Sequence, residues 1–345
     1  MTNDNLELLE ILKMLSPGTM IRTAVDDLVR AHLGALIVFH SEKLEPLLEG
    51  GFRLNTKLTH QKLVELSKMD GAIIITADRK KILYANTMLV PDKNIPTNET
   101  GTRHKAGERT AKQAETVAVA VSERKNKVSI YYKDMKYILR SSSELLNRAT
   151  EMLQILEKQR EIYDSLLSNM NILEITNLVT VRDVCSLIQR IETIKKIAST
   201  IERYILELGK EGIIIKMRFK ELLLNIEDTE NLLIEDYVKI KSHKVKQILS
   251  DLSFDSLLDT PLIANLLFSR TLEEKITPKG RRFLKNTSLN LEHTDDLISR
   301  FGNLANILNS SEEKLIEVLK THDDFKRFSK ETEKLKEQIL AGKKF

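Results

Sequence analysis

The apolar residues of this 345-residue chain follow two different periods, and the change falls at about residue 141. Before it, continuous apolar runs such as GALIVFH (34–40) and GAIIITA (71–77) have the length of buried strands. After it, apolar residues recur with the 3.6-residue period of helices as far as about residue 250. The chain has only 12 Gly and 6 Pro, so long helices can run without interruption. The sequence therefore predicts a multidomain protein, α/β at first and all-α afterwards.

Turn and cap residues divide the first part of the chain into strands and helices. The apolar period predicts a helix over TMIRTAVDDLVRAH (19–32), and Thr59 is suited to cap another. Turns at Asp78–Arg79 and Lys133–Asp134 predict two hairpins. The run ERTAKQAETVAVAVSE (108–123) is predicted to be a single helix. These elements predict an α/β domain around a central, mostly buried, mixed sheet.

Composition limits the classes of function. The net charge of +4 is small for this length, so a basic binding surface must come from local clustering of lysine and arginine. The single cysteine, Cys185, excludes an intramolecular disulfide and lies in a helical pattern, where we expect a buried structural thiol. The first residues lack a signal-peptide pattern, and no apolar run has the length of a membrane span. We expect a soluble, cytoplasmic protein without a membrane partner.

Positive charge is concentrated at the predicted start of one helix. GTRHK (101–105) stands directly before an alanine-rich run. Cations in the first turn oppose the positive end of the helix dipole, at a cost of about 0.3–1 kcal/mol each. Gly101 frees the backbone, Thr102 can cap the helix, and amide groups at a helix start bind phosphate. The pattern indicates a phosphate site, with a solvated basic turn as the alternative.

Two other segments are candidates for the same site. Asp70, Gly71 and Ala72 open a predicted strand, where the glycine permits close approach of a ligand and the carboxylate can bind a metal ion. Ser122 and Glu123 come at the end of the predicted helix, within reach of a nucleotide or its metal. The alternatives are an ordinary turn for the first segment and a solvated basic turn for the second. Neither a P-loop nor a G-x-G-x-x-G turn is present, so a nucleotide site here uses an unusual cradle.

These segments together resemble the diadenylate cyclase family. DGA opening a strand, GTRHK opening a helix and VSE before a hairpin are similar to the motifs of its catalytic domain. The middle helices resemble the linker domain of multidomain members, and LISRFGNLANILNSSEEKLIEV (297–318) resembles the lead into their helix-hairpin-helix module. The resemblance implies a cyclase domain over residues 1–140, a helical linker and assembly domain over 141–285, and a degenerate helix-hairpin-helix-like, DNA-binding domain over 286–345.

The resemblance implies an enzyme that condenses two ATP molecules into cyclic di-AMP and releases two pyrophosphates. It implies two catalytic domains face to face within a homo-oligomer, commonly an octamer, with Mg²⁺ or Mn²⁺ as cofactor. The 3′-hydroxyl of each ATP attacks the α-phosphorus of the other. Such phosphoryl transfer requires positioning and charge neutralisation rather than a covalent nucleophile.

The resemblance also assigns roles to the candidate residues. Asp70 is implied to bind the metal and to orient or activate the attacking hydroxyl, with Arg103 and His104 as its catalytic companions. Leu89 is implied to pack on the adenine. The remaining ATP-binding residues that it implies are Gly71, Ala72, Gly101, Thr102, Arg103, His104, Lys105, Ser122 and Glu123.

The sequence departs from the family pattern in two places. Lys105 stands where the family usually has arginine, which replaces a bidentate fork by a point charge. The C-terminal hairpin lacks its turn glycines, and Asp323 and Asp324 would repel a DNA phosphate. We still expect contact with branched or junction DNA through three cations of TPKGRRFLKN, which are Lys279, Arg281 and Arg282.

Two other functions compete with the cyclase. The first is a DNA-binding or scaffold protein whose nucleotide site is regulatory and not catalytic. The second is a helical assembly protein without a ligand. ATP binding that depends on Arg103 excludes the second, and turnover that depends on Asp70 separates the cyclase from the first.

Overall fold

The structure is a computed structural model and describes residues 3–342, with side chains from residue 7 onward. It forms two compact units, residues 1–150 with 202–216 and residues 151–201 with 217–345. The domain boundaries at 140 and 285 stay a prediction, because compact units and domains need not coincide. The last residues of the predicted C-terminal domain, 343–345, lie outside the described part of the chain.

As far as residue 140, the described chain forms one mixed sheet and four α-helices, bounded as follows. The strands are β1 Ala35–Phe39, β2 Leu48–Glu49, β3 Phe52–Lys57, β4 Ala72–Ile75, β5 Lys81–Leu89, β6 Ala118–Val121, β7 Val128–Tyr132 and β8 Met135–Leu139. The helices are α1 Asn3–Met14, α2 Met20–Arg30, α3 His60–Leu66 and α4 Thr102–Ala114. The strand order is β2-β5-β4-β1-β6-β7-β8, with β3 also paired to β5. β1 and β4 are parallel, and β1 and β6 are antiparallel.

Alternating side chains of the central strands form two apolar layers. In β1, Ile37 belongs to the layer that also holds residues of α1, α2 and α3, whereas Val38 belongs to the layer that holds residues of α4. In β6 the valines face the first layer and the alanines face α4, whose own buried residues are the small Ala111 and Ala114. The period of two thus produces a helix–sheet–helix sandwich, as the fold class predicted.

The single helix predicted over residues 108–123 is wrong. α4 begins earlier, at Thr102, and ends at Ala114, after which Glu115 adopts a left-handed conformation with φ of +48°. The next apolar residues form β6, which is buried on both faces between β1 and β7. An alternation of alanine and valine suits a helix by composition, but both neighbouring strands pair with it.

Other local predictions are confirmed. The side-chain oxygen of Thr59 accepts a hydrogen bond from the backbone of Lys62 at 3.3 Å, as a helix cap does. β4 and β5 form one predicted hairpin, and β7 and β8 form the other. Cys185 is fully buried, and burial raises the pKa of its thiol to about 12. β3 was not predicted, because its side chains are mostly exposed and give no apolar run.

The remaining helices belong to the predicted all-α part. They are α5 Ser142–Thr176, α6 Val181–Leu208, α7 Ile213–Leu222, α8 Ile226–Tyr237, α9 Ser242–Asp251, α10 Phe254–Leu258, α11 Thr260–Phe268, α12 Arg281–Leu284, α13 Leu291–Phe301, α14 Leu304–Leu308, α15 Glu312–Leu319 and α16 His322–Leu340. In residues 3–342, no helix combines the length and the apolar character needed to cross a membrane.

The C-terminal hairpin keeps its helices without its glycines. α15 ends at Leu319, and its C-cap residue Lys320 adopts a left-handed φ of +67°. Thr321 then caps α16 by accepting a hydrogen bond from the backbone amide of Asp324 at 3.1 Å. The hydroxyl of Thr321 also donates to the Asp324 carboxylate at 2.5 Å. A helix start that is capped and faced by a carboxylate is unsuited to a phosphate.

Candidate active site

Three adjacent central strands bring the predicted segments together at one end of the strands, which we call the sheet edge. Because β1 and β4 are parallel and β6 runs the other way, the starts of β4 and β1 lie beside the end of β6. Asp70 and Gly71 precede β4, Gly34 precedes β1, and Ser122 follows β6. Neighbouring strands are about 4.8 Å apart, so these segments lie side by side.

Gly71 is required by the strand pair itself. Its φ is +90°, and a Cβ at this position would lie 2.9 Å from backbone atoms of Asn86 and Thr87 in β5. The register of β4 against β5 shifts just after this point. Any larger residue would push the strands apart, so the glycine has a structural reason whether or not a nucleotide approaches it.

The cations of GTRHK lie inside the first turn of α4. Gly101 is the N-cap and makes no side-chain hydrogen bond, so Thr102 is the first helical residue and not the cap that was predicted. The Arg103 guanidinium extends to the start of β1, where a Cβ at Gly34 would lie 2.7 Å from its Cζ atom. Among the side chains of residues 7–342, no carboxylate forms an ion pair with Arg103. Its charge is therefore left for another partner.

A cavity of about 610 Å³ opens between the start of α4 and the β6–β7–β8 edge. Its lining carries five lysine or arginine side chains against two glutamates, so the cavity favours an anion. The volume lies within the range of about 300–1,000 Å³ for small-molecule sites. The lining residues are Glu99, Thr100, Gly101, Thr102, Arg103, His104, Ser122, Glu123, Arg124, Lys125, Lys127, Ser129, Lys136 and Ile138.

His104 is held by a hydrogen-bonded chain at the back of this cavity. Its Nδ1 atom lies 2.9 Å from the Tyr131 hydroxyl, which donates to a Glu99 carboxylate oxygen at 2.8 Å. Lys136 forms an ion pair with the same carboxylate. Burial lowers the pKa of the His104 imidazole, and the Glu99 carboxylate opposes that shift only in part. The ring is therefore neutral near neutral pH.

Two families of protein domain match this chain. Residues 22–136 match the family described as DisA bacterial checkpoint controller nucleotide-binding, and residues 139–274 match the DisA bacterial checkpoint controller linker region. Over 321 residues the chain is 43% identical to the DNA integrity scanning protein DisA of Acetivibrio thermocellus. This alignment covers 90% of this chain and 89% of that protein. It is 39% identical to DisA of Clostridium kluyveri over 98% of each chain. This chain belongs to the DisA family.

Membership of the DisA family confirms the predicted enzyme class, diadenylate cyclase, and the predicted fold class. All lining residues of the cavity except Ile138 lie in the part of the chain that matches the nucleotide-binding family. Among solved structures, a double mutant of DacA from Staphylococcus aureus aligns with 25% identity and a TM-score of 0.31. That alignment covers 41% of this chain and 91% of the DacA chain.

The structure separates the predicted DisA site residues into two groups. Six of them line the cavity, namely Gly101, Thr102, Arg103, His104, Ser122 and Glu123. Asp70 is exposed at the same sheet edge but outside the lining, and the side chain of Lys105 also falls outside it. Ala72 and Leu89 are buried in the apolar layer beneath α4, and the adenine contact of Leu89 stays a prediction.

Sequence reasoning missed several residues that line the cavity. Glu99, Lys127, Ser129, Lys136 and Ile138 line it, and Tyr131 holds its histidine. The signal that could have found them is the period of two in the β7–β8 hairpin, which places Ser129, Lys136 and Ile138 on neighbouring strands. Glu99 gives no such signal, because it lies in a loop.

The metal site expected of a DisA cyclase rests on one side chain. In the described part of the chain, His, Cys, Asp and Glu residues form no group of three or more that could hold a metal ion. Magnesium is commonly bound by one or two carboxylates together with substrate phosphates, and the exposed Asp70 fits that arrangement. The residues are thus compatible with a metal that arrives with the nucleotide.

The structure corrects the expected role of Arg282 in DNA binding. Its side chain is 8% exposed and forms a buried ion pair with Glu174, with an Nε–Oε1 distance of 3.0 Å. Arg281 forms an ion pair with Asp295 at 2.5 Å, and Lys279 donates to the backbone oxygen of Glu235 at 2.6 Å. The segment Gly280–Arg282 is therefore part of the helical core, because the buried Arg282 already has Glu174 as its carboxylate partner.

Proposed function

We propose that this protein condenses two ATP molecules into cyclic di-AMP and two pyrophosphates, with one ATP bound by each of two chains. The observation that carries the proposal is the cationic cavity at the start of α4, in the domain that matches the nucleotide-binding family. Arg103 lies in this cavity without a carboxylate partner, so its charge favours the binding of a phosphate. The size of the cavity suits one nucleotide, so the second ATP must come from another chain.

The first turn of α4 would hold the triphosphate. The backbone amides that follow Gly101 have no cap and point out of the helix start, where they favour an anion. Arg103 supplies a planar, bidentate donor, and Thr102 adds a hydroxyl. Ser122 and Glu123 line the cavity from the end of β6. These groups would hold the nucleotide for attack and stabilise the pyrophosphate as it leaves.

The reaction would take place at the sheet edge where Asp70 lies. The 3′-hydroxyl oxygen of each ATP gives up its proton to solvent and forms a bond to the α-phosphorus of the other ATP, and the bond from that phosphorus to pyrophosphate breaks. Asp70 would orient the attacking hydroxyl and hold Mg²⁺ or Mn²⁺ together with phosphate oxygens. When bound, the metal neutralises phosphate charge. Because Asp70 lies outside the cavity lining of its own chain, we propose that it acts on the nucleotide at the meeting point of two domains.

Turnover in an Asp70 variant tests the proposal. The protein is incubated with ATP and Mg²⁺ or Mn²⁺, and cyclic di-AMP is measured by chromatography. We expect Asp70→Asn to abolish product while the oligomer stays intact. Asp134→Asn is the matched control, since Asp134 is 96% exposed in the β7–β8 turn. ATP binding without product in the parent protein would favour the alternative, a regulatory nucleotide site on a DNA-binding or scaffold protein.

The family resemblance extends the proposal to an octamer. Light scattering of the full chain, whose mass is 39.6 kDa, measures the assembly directly. An octamer that makes product agrees with both parts of the proposal. An active dimer would keep the paired mechanism and reject the octamer, whereas an active monomer would reject the pairing itself.

For DNA contact we propose a basic cavity of the helical unit in place of Arg282. This cavity, of about 390 Å³, is lined by Lys239, Arg270, Lys275 and Lys279, whose side chains are exposed. Cations that bind phosphates release counterions, so affinity falls with salt by a slope of about 1 per contact. Replacing Lys239 and Lys275 by alanine should reduce the slope for branched DNA by about 2. The exposed Lys158 provides the control, and an unchanged slope in the double variant would reject this surface.

A further inference from the structure

The hydrogen-bonded chain behind His104 has only one consistent arrangement of protons. A tyrosine hydroxyl carries a single proton, and in this chain it lies between the His104 ring and the Glu99 carboxylate. Burial would raise the pKa of Glu99, but the hydrogen bonds from Lys136 and Tyr131 outweigh burial and lower it. Glu99 is therefore ionised at neutral pH and can only accept, so Tyr131 donates to it.

The remaining contact fixes the histidine. Burial and the Glu99 hydrogen bond raise the pKa of Tyr131, so the hydroxyl keeps its proton at neutral pH. With that proton given to Glu99, the tyrosine oxygen can only accept from the His104 ring. The Nδ1 atom, 2.9 Å away, must then carry a proton, and Nε2 is bare whenever the ring is neutral.

Packing holds Tyr131 in place between His104 and Glu99. Tyr131 is fully buried in β7, where its cross-strand neighbour is the small Ala118 of β6. A Cβ built at Gly107 of α4 would lie 3.6 Å from the Tyr131 ring, so the helix covers the ring closely. The His104 ring stands edge-on to it, at a centroid distance of 6.3 Å and an angle of 79°. The hydroxyl has therefore little freedom to turn away.

We propose that Glu99 and Tyr131 are positioning residues, which hold His104 in the tautomer protonated at Nδ1 and so present Nε2 to the nucleotide. The proposal deepens the cyclase mechanism above, and its last step rests on that proposed function. A ring that is neutral in the free protein accepts a proton on Nε2 when the triphosphate brings negative charge, and Nε2 then donates to a phosphate oxygen. His104 thus gains its charge at the moment the substrate needs it.

The charged groups around His104 define what a test should see. Glu99 favours the charged ring, whereas Arg103, Lys125 and Lys136 disfavour it. Removing the Glu99 charge, or the hydroxyl that links it to the ring, should lower the pKa of His104 further. We expect a decrease of about one unit for Glu99→Gln, the lower end of the effect of a nearby opposite charge.

The pKa of His104 can be measured without turnover. Diethyl pyrocarbonate modifies only the unprotonated imidazole, so the rate at which the His104 peptide is modified, followed by mass spectrometry across pH, gives the midpoint for this one among seven histidines. We expect lower midpoints for Glu99→Gln and Tyr131→Phe and an unchanged one for Tyr132→Phe. Tyr132 is the matched control, because it is the next residue of β7 and its ring lies under Lys133 instead.

Turnover then shows whether Glu99 and Tyr131 act through His104. Tyr131→Phe keeps the buried ring and should lower kcat by about 10-fold to 100-fold, as loss of a partner that orients a functional histidine does. In a His104→Ala background the same change should cost nothing further, because the group it orients is gone. Thermal melting of each variant shows that the fold is kept.

The outcomes separate the two proposals. Equal midpoints in the parent protein, Glu99→Gln and Tyr131→Phe would overturn the positioning role, whatever the activity. Full additivity of Tyr131→Phe and His104→Ala in kcat would also overturn it, since a purely structural tyrosine acts independently of the histidine. Shifted midpoints in a protein that makes no cyclic di-AMP would keep the tautomer and reject the catalytic function.

Discussion

Two segments of this chain look alike in sequence and have opposite surroundings in the structure. GTRHK (101–105) and KGRRF (279–283) each place a glycine shortly before arginine at the start of a helix. In the first, Arg103 lines a cavity, and it has no carboxylate partner among the side chains described from residue 7 to 342. In the second, Arg282 is buried against Glu174. The same local pattern therefore gives a cation that lines a cavity in one unit and a cation in a buried ion pair in the other.

The difference lies in what neutralises the charge. A buried cation is tolerated only with a partner that satisfies it, and Glu174 and Asn171 both accept from Arg282. A half-exposed cation without such a partner keeps its affinity for an anion from solution. Cations at a helix start thus indicate a phosphate site only where no carboxylate of the same fold reaches them.

The largest effect is expected when the buried pair is broken. Arg282→Ala leaves Glu174 charged and without its main partner, which should lower the free energy of unfolding by about 3–5 kcal/mol. Denaturant unfolding of the full chain measures this. The control is Arg281→Ala, whose more exposed ion pairs are each worth about 0–1 kcal/mol. Equal losses for the two arginines would remove the contrast.

The corresponding substitution at the cavity, Arg103→Ala, should lower turnover and leave stability unchanged. Arg103→Ala removes a cation without a protein partner, so the free energy of unfolding should change by less than about 0.5 kcal/mol. Cyclic di-AMP formation should fall by about 100-fold to 1,000-fold, the range for loss of a preorganised charge stabiliser. Arg103→Lys should lie between, since it keeps the charge and loses the bidentate geometry. A destabilised but active Arg103→Ala would show that this arginine, too, is structural.

A third variant tests the buried charges of the helical unit through pH. Burial and the neighbouring Glu230 raise the pKa of Glu192 to about 7, although Lys195 bonds to both carboxylates. Because the folded pKa exceeds the unfolded value, the folded state binds a proton more tightly, and stability decreases as pH rises from about 4.5 to 7. The decrease is on the order of 3 kcal/mol.

Glu192→Gln should remove that part of the pH dependence. The variant should gain stability over the parent protein at pH 8 and lose the advantage near pH 4.5, as measured by unfolding at each pH. Glu227→Gln is the control, because Glu227 is 80% exposed. A parallel offset at all pH values would mean that Glu192 is ionised in the fold and well compensated.

The smallest effect concerns Lys105. Its side chain does not line the cavity, so Lys105→Arg, which restores the usual family residue, should change kcat and the KM for ATP by less than about twofold. The measurement is steady-state turnover beside Arg103→Lys as the reference at a lining position. A tenfold gain would mean that residue 105 reaches a phosphate of the nucleotide in the assembled enzyme.

Much of the fold could be predicted because its information is local. Strand-length apolar runs, the Asp78–Arg79 turn and the Thr59 cap each specify structure within a few residues. β6 could not be predicted in this way, since alanine and valine suit either period and only pairing with β1 and β7 makes them a strand. Likewise, the motif located Arg103 and His104, but Tyr131 reaches His104 from 27 positions away.

The sequence by itself determined the fold class, the enzyme family and the basic segment that lines the cavity, because periods, turns and motifs are contained in contiguous residues. The tertiary structure alone decided which cations have carboxylate partners and which nitrogen of His104 contacts Tyr131. Glu174 lies 108 positions from Arg282, and Glu99 reaches His104 only through a tyrosine of another strand. Electrostatic interactions depend on distance in space, and folding sets those distances.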